Sequence, residues 1–177
     1  MKSPVGSHAE LTAVQLEEGL TAYRCPETGG HWIPFDSYFR WLQANPGSLP
    51  TEPPTEAFES VSEDDAKPKL CPETGTHMFP YKIGRGLKFR IDRSQTRGIW
   101  LDGGEWEQLR QHNYHHQLHL IFGAPWQAEI RRQNRESTQE QLLQERFGDE
   151  LLHELQSLKT RLAGHPYQQE ALAFLRE

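Results

Sequence analysis

Gly98-Ile99-Trp100-Leu101-Asp102-Gly103-Gly104-Glu105 reads as a short apolar strand that ends in a glycine turn and opens a helix. Asp102 with Glu105 three residues later makes a capping-box-like start, and the helix is expected to run to about Leu120. Upstream, Leu87, Phe89 and Ile91 alternate with Lys88, Arg90 and Asp92, the period of a strand with one buried and one wet face. Shifting the chain by 68 residues lays Trp100 on Trp32. Around Trp32 the same order recurs: apolar stretches Leu11 to Leu16 and Leu20 to Cys25 flank the turn Glu17-Glu18-Gly19, which predicts a hairpin. A helix that Asp36 can cap follows through Leu42 and stops at Asn45-Pro46-Gly47.

Each copy carries two tight turns 22 residues apart. The first begins Ser3-Pro4-Val5-Gly6 and returns as Cys25-Pro26-Glu27-Thr28-Gly29-Gly30-His31-Trp32. The second begins Cys71-Pro72-Glu73-Thr74 and returns as Arg93-Ser94-Gln95-Thr96-Arg97-Gly98-Ile99-Trp100. With the Gly-Ile-Trp-Leu-Asp-Gly-Gly-Glu tail, this pattern resembles the bacterial transcription-factor-IIB-type zinc-ribbon family. The resemblance covers about 85 residues and implies small hairpin modules, each trailed by a helix. In that family four soft or imidazole ligands hold zinc. Here the four positions read Ser3, Gly6, Cys25 and Thr28, then Cys71, Thr74, Arg93 and Thr96. One cysteine per set cannot hold the ion, so the expected cofactor is none, with zinc as the lesser possibility. Thr28, Thr74 and Thr96 are expected to bond turn amides in place of thiolates, and Trp32 and Trp100 to supply apolar burial.

The fold expectation is α+β: two small zinc-ribbon-like β-hairpin modules each followed by a helix, plus an α-helical C-terminal region. The boundaries are 1–45 for the first unit, 46–69 for an acidic proline-rich linker, 70–122 for the second unit and 123–177 for the helical region. The linker carries Glu52, Glu56, Glu59, Glu63, Asp64 and Asp65 among five prolines, a composition that buries little. Leu49, Phe58 and Val61 are its candidates for docking on a neighbour. In the last region Pro125 suits a first helical turn, Gly148 a break, Gly164 an end and Pro166 a restart.

With 177 residues, 25% of them charged, a net charge of −6 and a mean hydropathy of −0.80, the chain reads as polar and cytoplasmic, with no membrane span. Glycine-rich phosphate loops, nucleophile elbows and His-Glu-x-x-His are absent from the sequence, so the expectation is a protein that is not an enzyme.

Three candidate chemistries remain. Metal could be sought at Cys25, His31, Cys71 and His77, from the repeated Cys-Pro-Glu-Thr-Gly-x-His, or at His112, His116 and His119 along one helical face. The repeat register opposes the first set, because His31 aligns with Ile99 as a strand position. Nucleic acid could meet Arg85, Lys88, Arg90, Arg93 and Arg97, against the overall negative charge and with the acidic linker able to cover them in cis. Protein partners could meet Phe147, Leu151, Leu155, Leu158 and Leu162, an apolar stripe at helical spacing. The leading expectation is a non-catalytic protein-interaction or regulatory module, with another protein or a second copy engaging the C-terminal helices. A nucleic-acid-binding regulator and a metal-binding protein are the alternatives.

Overall fold

The computed structural model describes residues 1–46 and 64–176, and it is an α+β fold. Strands β1 (Thr12–Glu17), β2 (Leu20–Arg24) and β3 (His31–Pro34) precede α1 (Phe35–Ala44). The pattern repeats as β4 (Phe79–Gly84), β5 (Leu87–Arg93), β6 (Gly98–Leu101) and α2 (Glu105–Gln111). The two ribbons are not separate modules. They share one antiparallel sheet of order β1-β2-β3-β6-β5-β4, joined by the pairing of β3 with β6.

In that central pair His31 opposes Leu101, Trp32 opposes Trp100 and Ile33 opposes Ile99. Because Ile99 is the repeat equivalent of His31 and Leu101 of Ile33, a pseudo-twofold axis passes through the Trp32–Trp100 pair. Edge-to-edge pairing has a physical motive. A three-stranded unit of this size has little core and an open edge, and joining two such edges repairs both deficits. Gly98 makes the join possible: a Cβ there would sit 2.4 Å from the Ile33 carbonyl oxygen.

Strand alternation sends Trp32 and Trp100 to one face of the sheet and Ile33, Ile99 and Leu101 to the other. The tryptophan face holds Val5, Cys25, Cys71 and Met78. The opposite face packs Leu20, Phe89, Ile91 and Ile99 with Tyr38 and Trp41 of α1 and Trp106 and Leu109 of α2.

Several local expectations change. Asp36 lies in the first turn of α1 and Pro34 is the N-cap, without a side-chain bond. The helix from Glu105 stops at Gln111, because Asn113 adopts a left-handed φ of 58° and the Tyr114 amide turns back to the Leu109 carbonyl. The chain resumes as a 3-10 turn (His115–Gln117) and α3 (Leu118–Ile121). The Tyr38 hydroxyl holds this segment, donating to the His115 carbonyl at 3.0 Å and accepting from the Leu118 amide at 3.1 Å.

Asp92 is buried rather than wet, and 64–69, assigned to the linker, is built into the fold around Asp65 and Lys69. The rest of that linker, 47–63 with Leu49, Phe58 and Val61, lies outside the described residues.

Helix α4 (Ala124–Leu162) is interrupted at Gly148, where φ is 71° and ψ is 169°. Its first turns belong to the sheet unit: Trp126 Nε1 donates to the Ile83 carbonyl, and Ile130 is buried. The chain divides into compact units Met1–Ile130 and Arg131–Glu177, so the boundary falls inside α4 rather than at 122/123. The second unit contains the remainder of α4 and α5 (Gln168–Phe174). Among the described residues no helix is long and apolar enough to cross a membrane.

Candidate functional site

The knuckle turns show how a ribbon closes around a thiol and hydroxyls. The Cys25 amide donates to the Gly30 carbonyl and the Ser94 amide to the Gly98 carbonyl, so Ser94 is the structural counterpart of Cys25. The 22-residue spacing had put Arg93 there. The β4–β5 hairpin is two residues longer than β1–β2, so Arg93 pairs with Ile99 as Arg24 pairs with His31.

In the first unit the Ser3 and Thr28 hydroxyls and the amides of Glu27 and Thr28 hydrogen-bond the Cys25 sulfur. In the second, Thr74 and Ser94 hydroxyls and the amides of Glu73 and Thr74 do the same for Cys71. Burial pushes both thiols up, and these hydrogen bonds outweigh it, leaving both below the ordinary cysteine value. Thr28 and Thr74 also accept from the amides of Gly30 and Thr76, as the sequence suggested. Thr96 does not; it is exposed at the rim of a cavity. The two cysteines are free and buried in the same apolar cluster.

Neither Cys/His set gathers into a site. His31 is buried in β3 and His77 is exposed. His112 is separated from His116 and His119 by the Asn113 break, with its Nδ1 2.9 Å from the Gln108 carbonyl. Among the described residues the group of three potential ligands that does converge is Asp65, Asp102 and Glu105, each offering an oxygen within 4.8 Å of the others.

That acidic group belongs to a buried ion network that, among the described residues, is found in the second half. Lys69 is fully buried, with Nζ 2.8 Å from Asp92 Oδ2, 3.2 Å from Asp102 Oδ2 and 2.9 Å from the Asp64 carbonyl. Arg90 reaches Asp65 through Nε at 3.2 Å, and its amide donates to Asp65 Oδ1 at 2.6 Å. Asp102 accepts from Trp100 Nε1 at 2.7 Å, and its amide donates to Glu105 Oε2 at 2.7 Å. The capping box is therefore half made, since Gly104 is the N-cap and the Asp102 carboxylate is committed to Trp100 and Lys69.

Burial opposes the Lys69 charge, but Asp92 and Asp102 outweigh it and raise its pKa. Burial also raises Asp92 and Asp102 above the ordinary aspartate value, against the lowering that Lys69 exerts on both. Glu105 is lifted well above the ordinary glutamate value, by burial and then by the charge of Asp102, and its Oε1 has no hydrogen-bond partner. Lys69 and Arg90 already place cations on Asp102 and Asp65, where a metal ion would have to sit.

The predicted basic face is dispersed. Arg90 is held by Asp65, and Arg97 lies 4.0 Å from Glu73. Arg85 stacks 4.0 Å from the Trp126 ring centroid. Lys88 and Arg90 share one face of β5, while Arg93 leaves from the other, between Phe35 and Phe122.

His115 has a consequence for stability. Its ring packs on Trp41, Trp106 and His116. Burial, then the neighbouring His116, lowers its pKa to about 4. The unfolded chain binds this proton near pH 6.5, so stability is unaffected above that value, falls as pH drops towards 4, and levels below it. The loss attributable to His115 is about 3 kcal/mol. Replacing His115 with Gln is expected to flatten this part of a urea-midpoint-against-pH curve. Identical curves for the two proteins would refute the assignment.

On the helical stripe, Phe147, Leu151 and Leu155 are 42%, 45% and 41% exposed, while Leu158 and Leu162 are half-buried. The buried leucine of this segment is Leu152, which the stripe did not include. Comparison with protein families, curated proteins and solved structures finds no match for this chain.

Proposed function

We propose that the protein is a non-catalytic interaction module in which a metal-free double ribbon carries a helical arm that pairs with the arm of a second copy. The observation behind this is the exposed pair Leu151 and Leu155, continuous with half-buried Leu158 and Leu162, with exposed Phe147 on the other side of the Gly148 interruption. A leucine row left open on a polar helix favours burial against another helix.

Charge supports a second copy as the occupant. Beyond Gly148 the arm begins with Asp149, Glu150 and Glu154 and ends with Lys159 and Arg161. Antiparallel pairing centred near Leu155 sets each acidic end against the other copy's basic end. The ribbon half needs no ion on this reading, because hydroxyls and amides already close both knuckles.

Sedimentation equilibrium on untagged protein is expected to show a monomer–dimer equilibrium in the micromolar range, weakened by salt. Leu151→Glu with Leu155→Glu should give monomer while leaving the near-ultraviolet signal of the tryptophan-rich sheet unchanged. A strictly monomeric wild type, or a dimer indifferent to the double substitution, would remove the self-pairing arm. Stoichiometric zinc whose chelation unfolds the protein would remove the metal-free ribbon.

A further inference from the structure

Arg93 lines a cavity of about 320 Å³ bounded by α1, the β5–β6 turn and the α3 end. Its guanidinium lies 5.4 Å from the ring centroid of Phe35 and 5.3 Å from that of Phe122, and its Nε is buried without a hydrogen-bond partner. Among the described residues no carboxylate pairs with Arg93. The cavity lining contains no Asp or Glu; Tyr38, Gln95, Thr96 and His119 are its other polar residues.

The pseudo-twofold axis supplies an internal comparison. Arg24 and His31 occupy the positions in the first ribbon that Arg93 and Ile99 occupy in the second. There burial lowers the His31 pKa, with nearby Glu107 opposing the shift and Arg24 adding to it. The repeat counterpart of Glu107 is Phe39, which lines the Arg93 cavity. Where the first half sets a carboxylate near His31, the second has an aromatic wall and open space beside Ile99 and Arg93.

We propose that this cavity binds a small monocarboxylate with an aromatic body, its carboxylate meeting Arg93 and its ring lying among Phe35, Phe39 and Phe122. A half-buried guanidinium with an unpaired Nε favours a planar oxyanion that its fork can engage, and a cavity of this volume lies at the lower end for small-molecule sites. Thr96 and Gln95 stand at the mouth, where a ligand enters.

The site lies wholly within Met1–Ile130 and does not depend on the helical arm. The test is titration of the full chain with phenylacetate and, separately, phenylacetamide, followed by the tryptophan and methyl resonances in NMR. Phenylacetate is expected to bind, and the neutral amide about tenfold more weakly. Arg93→Gln should abolish that preference, and Thr96→Trp, at the exposed rim, should block both compounds. Inorganic phosphate distinguishes a general anion site, which would bind it as well as phenylacetate and overturn the aromatic component. No resonance shift at millimolar phenylacetate, equal affinity for acid and amide, or unchanged binding by Thr96→Trp would each overturn the proposal. If Arg93→Gln fails to fold, the acid-to-amide ratio of the wild type and the Thr96→Trp result decide.

Discussion

Replacing Lys69 with methionine is expected to destabilise the folded protein by about 3–5 kcal/mol, a large part of the 5–15 kcal/mol available to a domain. Methionine fills much of the same space, so the effect is electrostatic. It strands the Asp92 and Asp102 carboxylates, which Lys69 contacts at 2.8 and 3.2 Å. The urea midpoint measures the loss. Combining Lys69→Met with Asp92→Asn and Asp102→Asn should recover most of it, because a buried charge without a partner costs far more than a neutral group in its place. The pH response has a definite sign. The folded-state pKa of Lys69 is raised, so its contribution is complete below the ordinary lysine value and disappears as pH climbs through the folded value. A Lys69→Met protein within about 1 kcal/mol of wild type would show that the network is not what secures the second ribbon.

Trp100→Ala is expected to cost about 3–5 kcal/mol, and more than Trp32→Ala, although the two are related by the pseudo-twofold axis. Both side chains are fully buried and both deletions open a cavity at the sheet junction. They differ in what the indole nitrogen holds. Trp100 Nε1 donates at 2.7 Å to Asp102, whose carboxylate is almost entirely buried, whereas Trp32 Nε1 donates at 3.0 Å to the more accessible Glu73. Water can replace the indole at Glu73 more readily than at Asp102. Trp100→Phe isolates the hydrogen bond and should lose about 1.5–3 kcal/mol, while Trp32→Phe should lose less. Equal losses in the two phenylalanine variants would contradict this account.

Local order was legible where a segment's own pattern decides its conformation. The alternation of Leu87, Phe89 and Ile91 produces β5, and the Glu17-Glu18-Gly19 turn produces the first hairpin. The 68-residue repeat correctly placed His31 opposite the role of Ile99. The same repeat misplaced one knuckle position, because the longer β4–β5 hairpin shifts Ser94 rather than Arg93 into the place of Cys25. That shift cannot be seen from spacing alone, since the following turn is one residue shorter and restores the Trp32–Trp100 offset.

The candidate chemistry was less legible because its charges lie far apart in sequence. Lys69 sits in a segment that composition assigns to a linker, yet it is the buried cation between Asp92 and Asp102. Arg93 looked like one member of a basic strand face, but the pleat sends it to the opposite side from Lys88 and Arg90, against Phe35 and Phe122. Histidines that fit one helical face lost that relation when Asn113 took a left-handed conformation under the constraint of tertiary packing.

By itself the sequence determined that the chain is α+β and that a strand-strand-strand-helix order occurs twice. Those properties follow from short-range periodicity and turn residues. Only the tertiary structure decided that the halves form a single sheet, that the two cysteines are hydrogen-bonded thiols, and that Arg93 lies between two aromatic rings with its Nε unpaired. These depend on edge pairing and burial, which bring together residues that no local pattern connects.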